Sequence, residues 1–334
     1  MTGRDRRLEE LRLIAEGVTI TRSSVGWFGE RAGRLPTAFG ELPEAEQRRH
    51  VELIVEELLY THYYAVAGPA LLGRVEAVQI AAGAGTIMPS LVRSNPGRGR
   101  AESGWSYVRP GAAPDTLVAT RDGLTLSFPQ DRLIAPRGGP LAPGAPLHVR
   151  TVAGSIAAAS GFYIAHSDAE LDYGLPLARM YLNVSISAAP SVLYNLCDSL
   201  NRHSLPFDFK IASERRHYHR ADVAVLYLPR SAFADTLPAV ISVLDAQPGS
   251  LRPELPRLVL ELMPGLGAAD DPQDGTSFGQ HWCRLLACAL CACGRTRSPK
   301  KRLSALMDVF GGHGRSLDRP YLLADQDDIY APWH

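Results

Sequence analysis

FDFKIASERRHYHRADVAVLYL, residues 207–228, places two strand-like apolar runs on either side of a basic loop. In the first run Phe207, Phe209 and Ile211 alternate with Asp208 and Lys210, the period-two pattern of a strand. Lys210 is out of place there. Of the 35 lysines and arginines only Lys210, Lys300 and Lys301 are lysines, and the last two sit together in a basic run near the C-terminus. An arginine-rich chain has therefore put one isolated lysine inside an apolar strand.

Working outward from this stretch, strands and helices mix without strict alternation. Upstream lie a helix over 190–203 with Pro190 at its start, the strand candidate ARMYLNVSI, and the short strand LHVRTV after a Pro/Gly-rich segment. TLVATRDGLTLSF alternates on both sides of an Arg-Asp-Gly turn and reads as a hairpin, while 92–116 reads as loop. Downstream come the helix SAFADTLPAVISVLD, the strand RLVLEL, the loop MPGLGAADDPQDGTS, and the helices FGQHWCRLLACALCAC and KKRLSALMDVF. The N-terminal part carries an amphipathic helix over 4–17 and a stronger one after Leu42-Pro43, with Val51, Ile54, Val55, Leu58 and Leu59 at helical spacing. Tyr60, Tyr63 and Tyr64 continue that face and are expected to pack it. The expectation is an α+β fold: a mixed, mainly antiparallel sheet with flanking helices and a helical N-terminal segment. Residues 1–90 would form that segment and 91–334 the α+β domain, together one compact unit.

The 334 residues carry a formal net charge of zero, so bulk attraction to nucleic acid or an anionic membrane is not expected, and an anion site has to be local. The N-terminus is charged and lacks the apolar region of a signal peptide, and no apolar run reaches the roughly 18 residues of a membrane span. Cys283, Cys288, Cys291 and Cys293 crowd together, which suits a reducing cytoplasm better than a disulfide framework. Cys288-x-x-Cys291-x-Cys293 has metal-site spacing, but it extends an apolar helix, where small buried cysteines are the commoner explanation.

Lysine, unlike arginine, can lose its proton when burial or neighbouring cations disfavour the charge, and can then serve as a general base. The plain alternative is a solvated strand residue. Beside Lys210, the loop gathers Arg215, Arg216, His217, His219 and Arg220. Arginine forks match phosphate oxygens, and a histidine can protonate a leaving phosphate. Base, cradle and acid are the groups that a phosphate elimination needs. Against this, Arg220 and Asp222 can simply pair with each other. A second candidate is TSFGQHWCRL, residues 276–285, with Ser277 as helix N-cap and His281 and Arg284 three apart on one face. His281 can equally be a half-buried helix residue. The glycine-flanked serine of a nucleophile elbow is absent, as is a nucleotide-binding glycine fingerprint.

FDFKIAS…YHRADVAVLYL, MPGLGAADDP and GTSFGQHWCRL, in this order and with SGFYIAHSDAELD and RMYLNVS, resemble the HopA-type domain over roughly residues 100–292. That family was first named for a type III secreted effector of plant pathogens. Relatives occur in gene clusters for thioamitides and class V lanthipeptides. The resemblance implies a phosphoserine/phosphothreonine lyase that acts on a precursor peptide phosphorylated by a separate kinase, leaving dehydroalanine or dehydrobutyrine, without metal or organic cofactor. Tyr163, Arg179, Asn183, Lys210, Tyr218, Arg220, Asp222, Ser277, His281 and Arg284 fall where the family pattern has recurring polar residues. His217 rests on local chemistry alone. Lys210, His281, Tyr218 and His217 are thus the candidate catalytic groups and the remainder bind phosphate or substrate. Where the pattern has a Thr-Lys pair ahead of the PGLG segment, this chain has Val259-Leu260 followed by Glu261, a departure that also admits a non-catalytic peptide- or kinase-binding subunit.

Overall fold

The computed structural model describes residues 3–21, 24–35, 37–66, 85–134, 141–156, 161–294, 296, 298–312, 314 and 316–333. Helix α1 (Gly3–Gly17) leads into a small antiparallel sheet of β1 (Val18–Ile20), β2 (Ser24–Trp27) and β3 (Glu30–Arg34), an element that the sequence reading did not anticipate. Helix α2 (Glu44–Leu59) begins after Pro43 and buries Val51, Val55, Leu58 and Leu59. It runs straight into a π-helical turn, Tyr60–Tyr64. Widened turns of this kind re-aim side chains and recur at functional sites.

Residues 92–116 are not the expected loop. They hold the end of α3 (Met88–Ser94) and the ten-residue strand β4 (Ala101–Pro110). Beside β4 lie β5 (Thr116–Arg121), β6 (Leu124–Pro129), β7 (Leu133–Ile134) and β8 (Pro146–Arg150), in the order β6-β5-β4-β8-β7. The β5–β6 hairpin is the one expected, and Asp122 and Gly123 both adopt positive φ (51° and 80°), as a two-residue hairpin turn of this hand requires. Trp105 and Tyr107 alternate inward on β4 and close a small core with Leu117, Ala119, Leu147 and Val149, separate from the main one.

The main core surrounds a seven-stranded sheet built from β9 (Gly154–Ile156), β10 (Phe162–His166), β11 (Leu177–Leu182), β12 (Asp208–Ala212), β13 (Ala224–Pro229), β14 (Leu260–Met263) and β15 (Leu266–Asp270). Its order is β14-β15-β11-β13-β12-β10-β9, and every strand pairing among the described residues is antiparallel. The segment LGAAD, expected to be loop, is the buried strand β15. Its small residues lack the β-branched signature but are what this place requires: a Cβ on Gly267 would lie 2.7 Å from the Leu260 carbonyl oxygen. Helices α4 (Ala189–Arg202) and α5 (Phe233–Asp245) pack against each other, and α6 (Phe278–Ala292) packs against α2 and α7 (Pro299–Gly312). The fold is α+β with mainly antiparallel sheets and a helical N-terminal segment. Among the described residues no helix is long and apolar enough to cross a membrane.

Candidate active site

Strand alternation sorts the sheet into two faces. Lys210 lies opposite Ile164 on one neighbour and Val225 on the other, while Arg179 lies opposite Tyr227 and Tyr181 opposite Val225. Lys210, Val225, Tyr227, Arg179 and Tyr181 therefore share one face. The π-turn tyrosines and the start of α6 border that face, enclosing a cleft of about 590 Å³.

Lys210 is mostly buried in this cleft. Its ammonium stands 4.4 Å from the centre of the Phe162 ring, and among the described residues it has no hydrogen-bond or ion-pair partner. Burial lowers its pKa from the ordinary lysine value; Asp222 opposes the shift, and Arg179 and Arg220 add to it. The strand-embedded lysine is thus not a solvated residue.

Arg220 does pair with Asp222. Its Nε and one terminal nitrogen reach the two carboxylate oxygens at 2.7 and 2.6 Å, and the same terminal nitrogen donates to the Tyr60 hydroxyl at 2.8 Å. That hydroxyl in turn donates to Asp222 at 2.8 Å. The other terminal nitrogen of Arg220 is left without a partner among the described residues. Arg179 lies deeper, held by Asp271 at 2.6 Å and the Thr276 carbonyl at 2.9 Å. Tyr181, entirely buried beside it, has its pKa pushed up to about 12 by burial.

His217 lies at the rim, stacked on Phe162 with ring centres 5.2 Å apart. Gly161 makes that possible: its φ is +95°, and a Cβ there would stand 2.3 Å from the imidazole. Burial, and then the charge of Arg220, pushes the His217 pKa below its usual value. The basic loop is held from outside the cleft by Arg252, which donates to the carbonyls of Tyr218 and Arg220, the latter at 2.7 Å, and to the Asn183 side chain.

Of the remaining candidates, Ser277 alone lines the cleft. The Tyr218 hydroxyl is buried and donates to the Ala212 carbonyl at 2.7 Å, so it is committed to the backbone. Asn183 donates to the Glu254 carbonyl at 2.8 Å and braces Arg252. Tyr163 points to the opposite sheet face, where Asn95 donates to its hydroxyl at 2.9 Å. Ser277 lines the cleft and forms a capping box with Gln280, as its N-cap reading expected. His281 and Arg284 turn away to Asp274, at 2.8 and 2.6 Å. Val259 precedes, and Leu260 opens, the edge strand β14, four places from β12 in the sheet, so the departure from the family pattern lies outside the cleft. Of the clustered cysteines Cys283 is buried but Cys288 is exposed. Among the described residues no group of three or more His, Cys, Asp and Glu side chains is arranged to hold a metal ion.

Sequence reasoning missed Tyr60, Phe162, Arg252 and Asp271. Tyr60 read as a packing residue because the helical period conceals the π turn. Asp271 and Arg252 are distant in sequence from the arginine and the loop they hold, and no local spacing announces them.

A model of the HopA1 effector protein family matches residues 154–322. The match starts after the five-stranded sheet and runs on through α7. Two effector protein structures from Pseudomonas syringae, of pathovar tomato strain DC3000 and pathovar syringae strain 61, are similar at 17% and 14% identity, each with a TM-score of 0.39 over 49% of this chain. The chain covers 63% of each of them. No curated protein matches in sequence.

Proposed function

The chain belongs to the HopA1 effector protein family, and from that membership and the Lys210 cleft we propose that it is a phosphoserine/phosphothreonine lyase. The substrate would be a precursor peptide phosphorylated by a separate kinase, as in biosynthesis of lanthipeptides or thioamitides, and the product a dehydroalanine or dehydrobutyrine. The observation that carries this reading is Lys210: a largely buried amine that has no hydrogen-bond partner among the described residues and faces the same cleft as two arginines. Such an amine gives up its proton more readily than a solvated one.

In this mechanism the neutral Lys210 amine takes the α-proton. The electrons left behind form the Cα=Cβ bond as the Cβ–O bond to phosphate breaks. Among the described residues one terminal nitrogen of Arg220 is left free to donate to a phosphate oxygen, and Arg179 supplies charge from beneath. The departing phosphate needs a proton, and His217 is the histidine of the candidate set that lines the cleft. Its lowered pKa keeps it neutral in the empty site. An arriving phosphate dianion reverses the local field and favours the imidazolium that can donate. No step in this chemistry calls for a metal or an organic cofactor.

One observation favours a second reading, a peptide-binding subunit. Asp222 and Asp271 already match the two cleft arginines, so less positive charge is free than the sequence suggests. The test separates the two. Lys210→Arg keeps the charge but cannot accept a proton. It should bind a phosphothreonine peptide normally and release phosphate about two to four powers of ten more slowly. Release at the wild-type rate would remove Lys210 as the base. Wild-type protein that binds the peptide and never releases phosphate would establish the binding subunit instead.

A further inference from the structure

We infer that Ser155, His166 and Asp208 form a second, nucleophilic site, beside the Lys210 cleft on the same sheet face, that cleaves carboxylic esters. The three lie on β9, β10 and β12, adjacent strands at one end of the seven-stranded sheet. The Ser155 Oγ is 2.8 Å from His166 Nε2, and His166 Nδ1 is 2.7 Å from Asp208 Oδ1. The Tyr173 hydroxyl donates to the second oxygen of the same carboxylate. A carboxylate can only accept, so Nδ1 carries the ring proton and Nε2 is left to accept from Ser155. This is the order of roles that turns a serine hydroxyl into a nucleophile, and such a relay is recognised by geometry rather than by sequence position. None of the three residues lines the Lys210 cleft.

The sheet itself sets the arrangement. Ser155 pairs with Ile164, and His166 pairs with Asp208, so all three side chains project from one face. The His166 N–H bonds the Ala153 carbonyl at 2.8 Å. By the alternation of an antiparallel ladder, Ser155 and Ile164 then exchange hydrogen bonds, while the N–H groups of Gly154 and Ile156 point away from β10. Two backbone donors thus flank the serine on the outer edge of the described sheet and are open to an oxyanion that forms there. Gly154 is required here because a Cβ would lie 2.0 Å from the Tyr163 hydroxyl on the opposite face. Tyr173, 61% exposed and bonded to Asp208, is a large apolar surface beside the relay and suits an apolar acyl group.

In the reaction, Ser155 Oγ bonds to the ester carbonyl carbon while its proton passes to His166 Nε2. The tetrahedral intermediate expels the alkoxide, which takes that proton and leaves as the alcohol. Water then attacks the acyl-serine, again through Nε2, giving the carboxylic acid and restoring the Ser155 hydroxyl. The sum is ester plus water to acid plus alcohol.

A fluorophosphonate carrying an alkyl tail tests this in the full chain. Oγ–phosphorus bond formation expels fluoride and sends the hydroxyl proton to His166. The folded wild type should be labelled on Ser155, located by peptide mass spectrometry, and should hydrolyse p-nitrophenyl butyrate; the heat-unfolded chain should do neither. His166→Gln and Asp208→Asn, with folding checked by circular dichroism, should slow labelling by about two to four powers of ten. Ser191→Ala, on the exposed face of α4, should leave it unchanged. A hydrogen-bond chain that merely ties the edge strands together predicts no labelling at all. An unlabelled folded wild type, a label on another residue, or wild-type labelling in His166→Gln would overturn the proposal, whatever the folding of the Ser155→Ala variant.

Discussion

The Lys210 cleft and the Asp274 cluster use the same materials in opposite ways. Each gathers an arginine, a histidine and an aspartate within a few residues of a strand or helix end, but only Asp274 bonds its histidine. In the cleft the Arg220–Asp222 pair is largely covered, with side chains 21% and 8% exposed. At the start of α6 the Arg284–Asp274 pair is 45% and 29% exposed. The first pair leaves an arginine nitrogen and a lysine facing a cavity; the second satisfies its own charges at the surface. The difference is made by what covers each cluster: the π turn of α2 lies over the first and solvent over the second.

The largest expected contrast between them is in stability. Asp222→Ala strands a largely buried guanidinium and should cost about 3 kcal/mol, the range for breaking a buried pair from one side. Asp274→Ala should cost about 1 kcal/mol or less, since surface pairs are weak and only turn contacts to Thr276 are lost with it. Urea unfolding of both variants at pH 7 measures this. Equal losses would mean that burial does not separate the two clusters.

A second contrast concerns protonation. With only three lysines in the chain, isotope-labelled lysine side chains give a spectrum simple enough to follow Lys210 directly. Its titration midpoint should lie below the roughly 10.4 of a free lysine. Asp222→Asn should lower it further, because the carboxylate that opposes the shift is gone, and Arg220→Gln should raise it by removing a nearby cation. A Lys210 that titrates at the free value, unmoved by either variant, would break the reading of the cleft as an activating site.

How far all this was legible in the sequence follows the range of the interactions. Helices at 190–203 and 278–293 and the strands around Lys210 and at 224–229 announced themselves because periodicity is local. So did the Asp122-Gly123 turn and the Ser277 cap. The buried strand β15 did not, because its place between two strands demands Gly and Ala, which carry little strand signal. β4 did not either, since Pro, Gly and Arg crowd its approach and Trp105 and Tyr107 find their partners only across the sheet. Among the site residues, Lys210 stood out by composition and Arg220 by its loop. Tyr163, Asn183 and Tyr218 have the right chemistry but hydrogen bonds that commit them elsewhere, which only the register reveals.

The smallest expected effect belongs to Asp274 itself. Burial raises a carboxyl pKa, but the hydrogen bonds from Thr276 and His281 outweigh it and hold this one well below the usual aspartate range. The group therefore binds its proton less readily in the folded chain than in the unfolded one, where the value is about 3.9. Stability from this source is fully present above about pH 4 and is lost as pH falls through the lower folded value. Wild type should exceed Asp274→Asn in unfolding free energy at pH 7, by no more than about 1 kcal/mol for so exposed a cluster. The gap should narrow as pH falls below about 4, where the carboxyl of the unfolded wild-type chain takes up its proton before that of the folded chain does. Urea midpoints of the two proteins at pH 7, 4 and 2.5 follow it. A gap that stays constant down the series would show that Asp274 acts through its shape and turn contacts, with its charge on His281 and Arg284 contributing nothing.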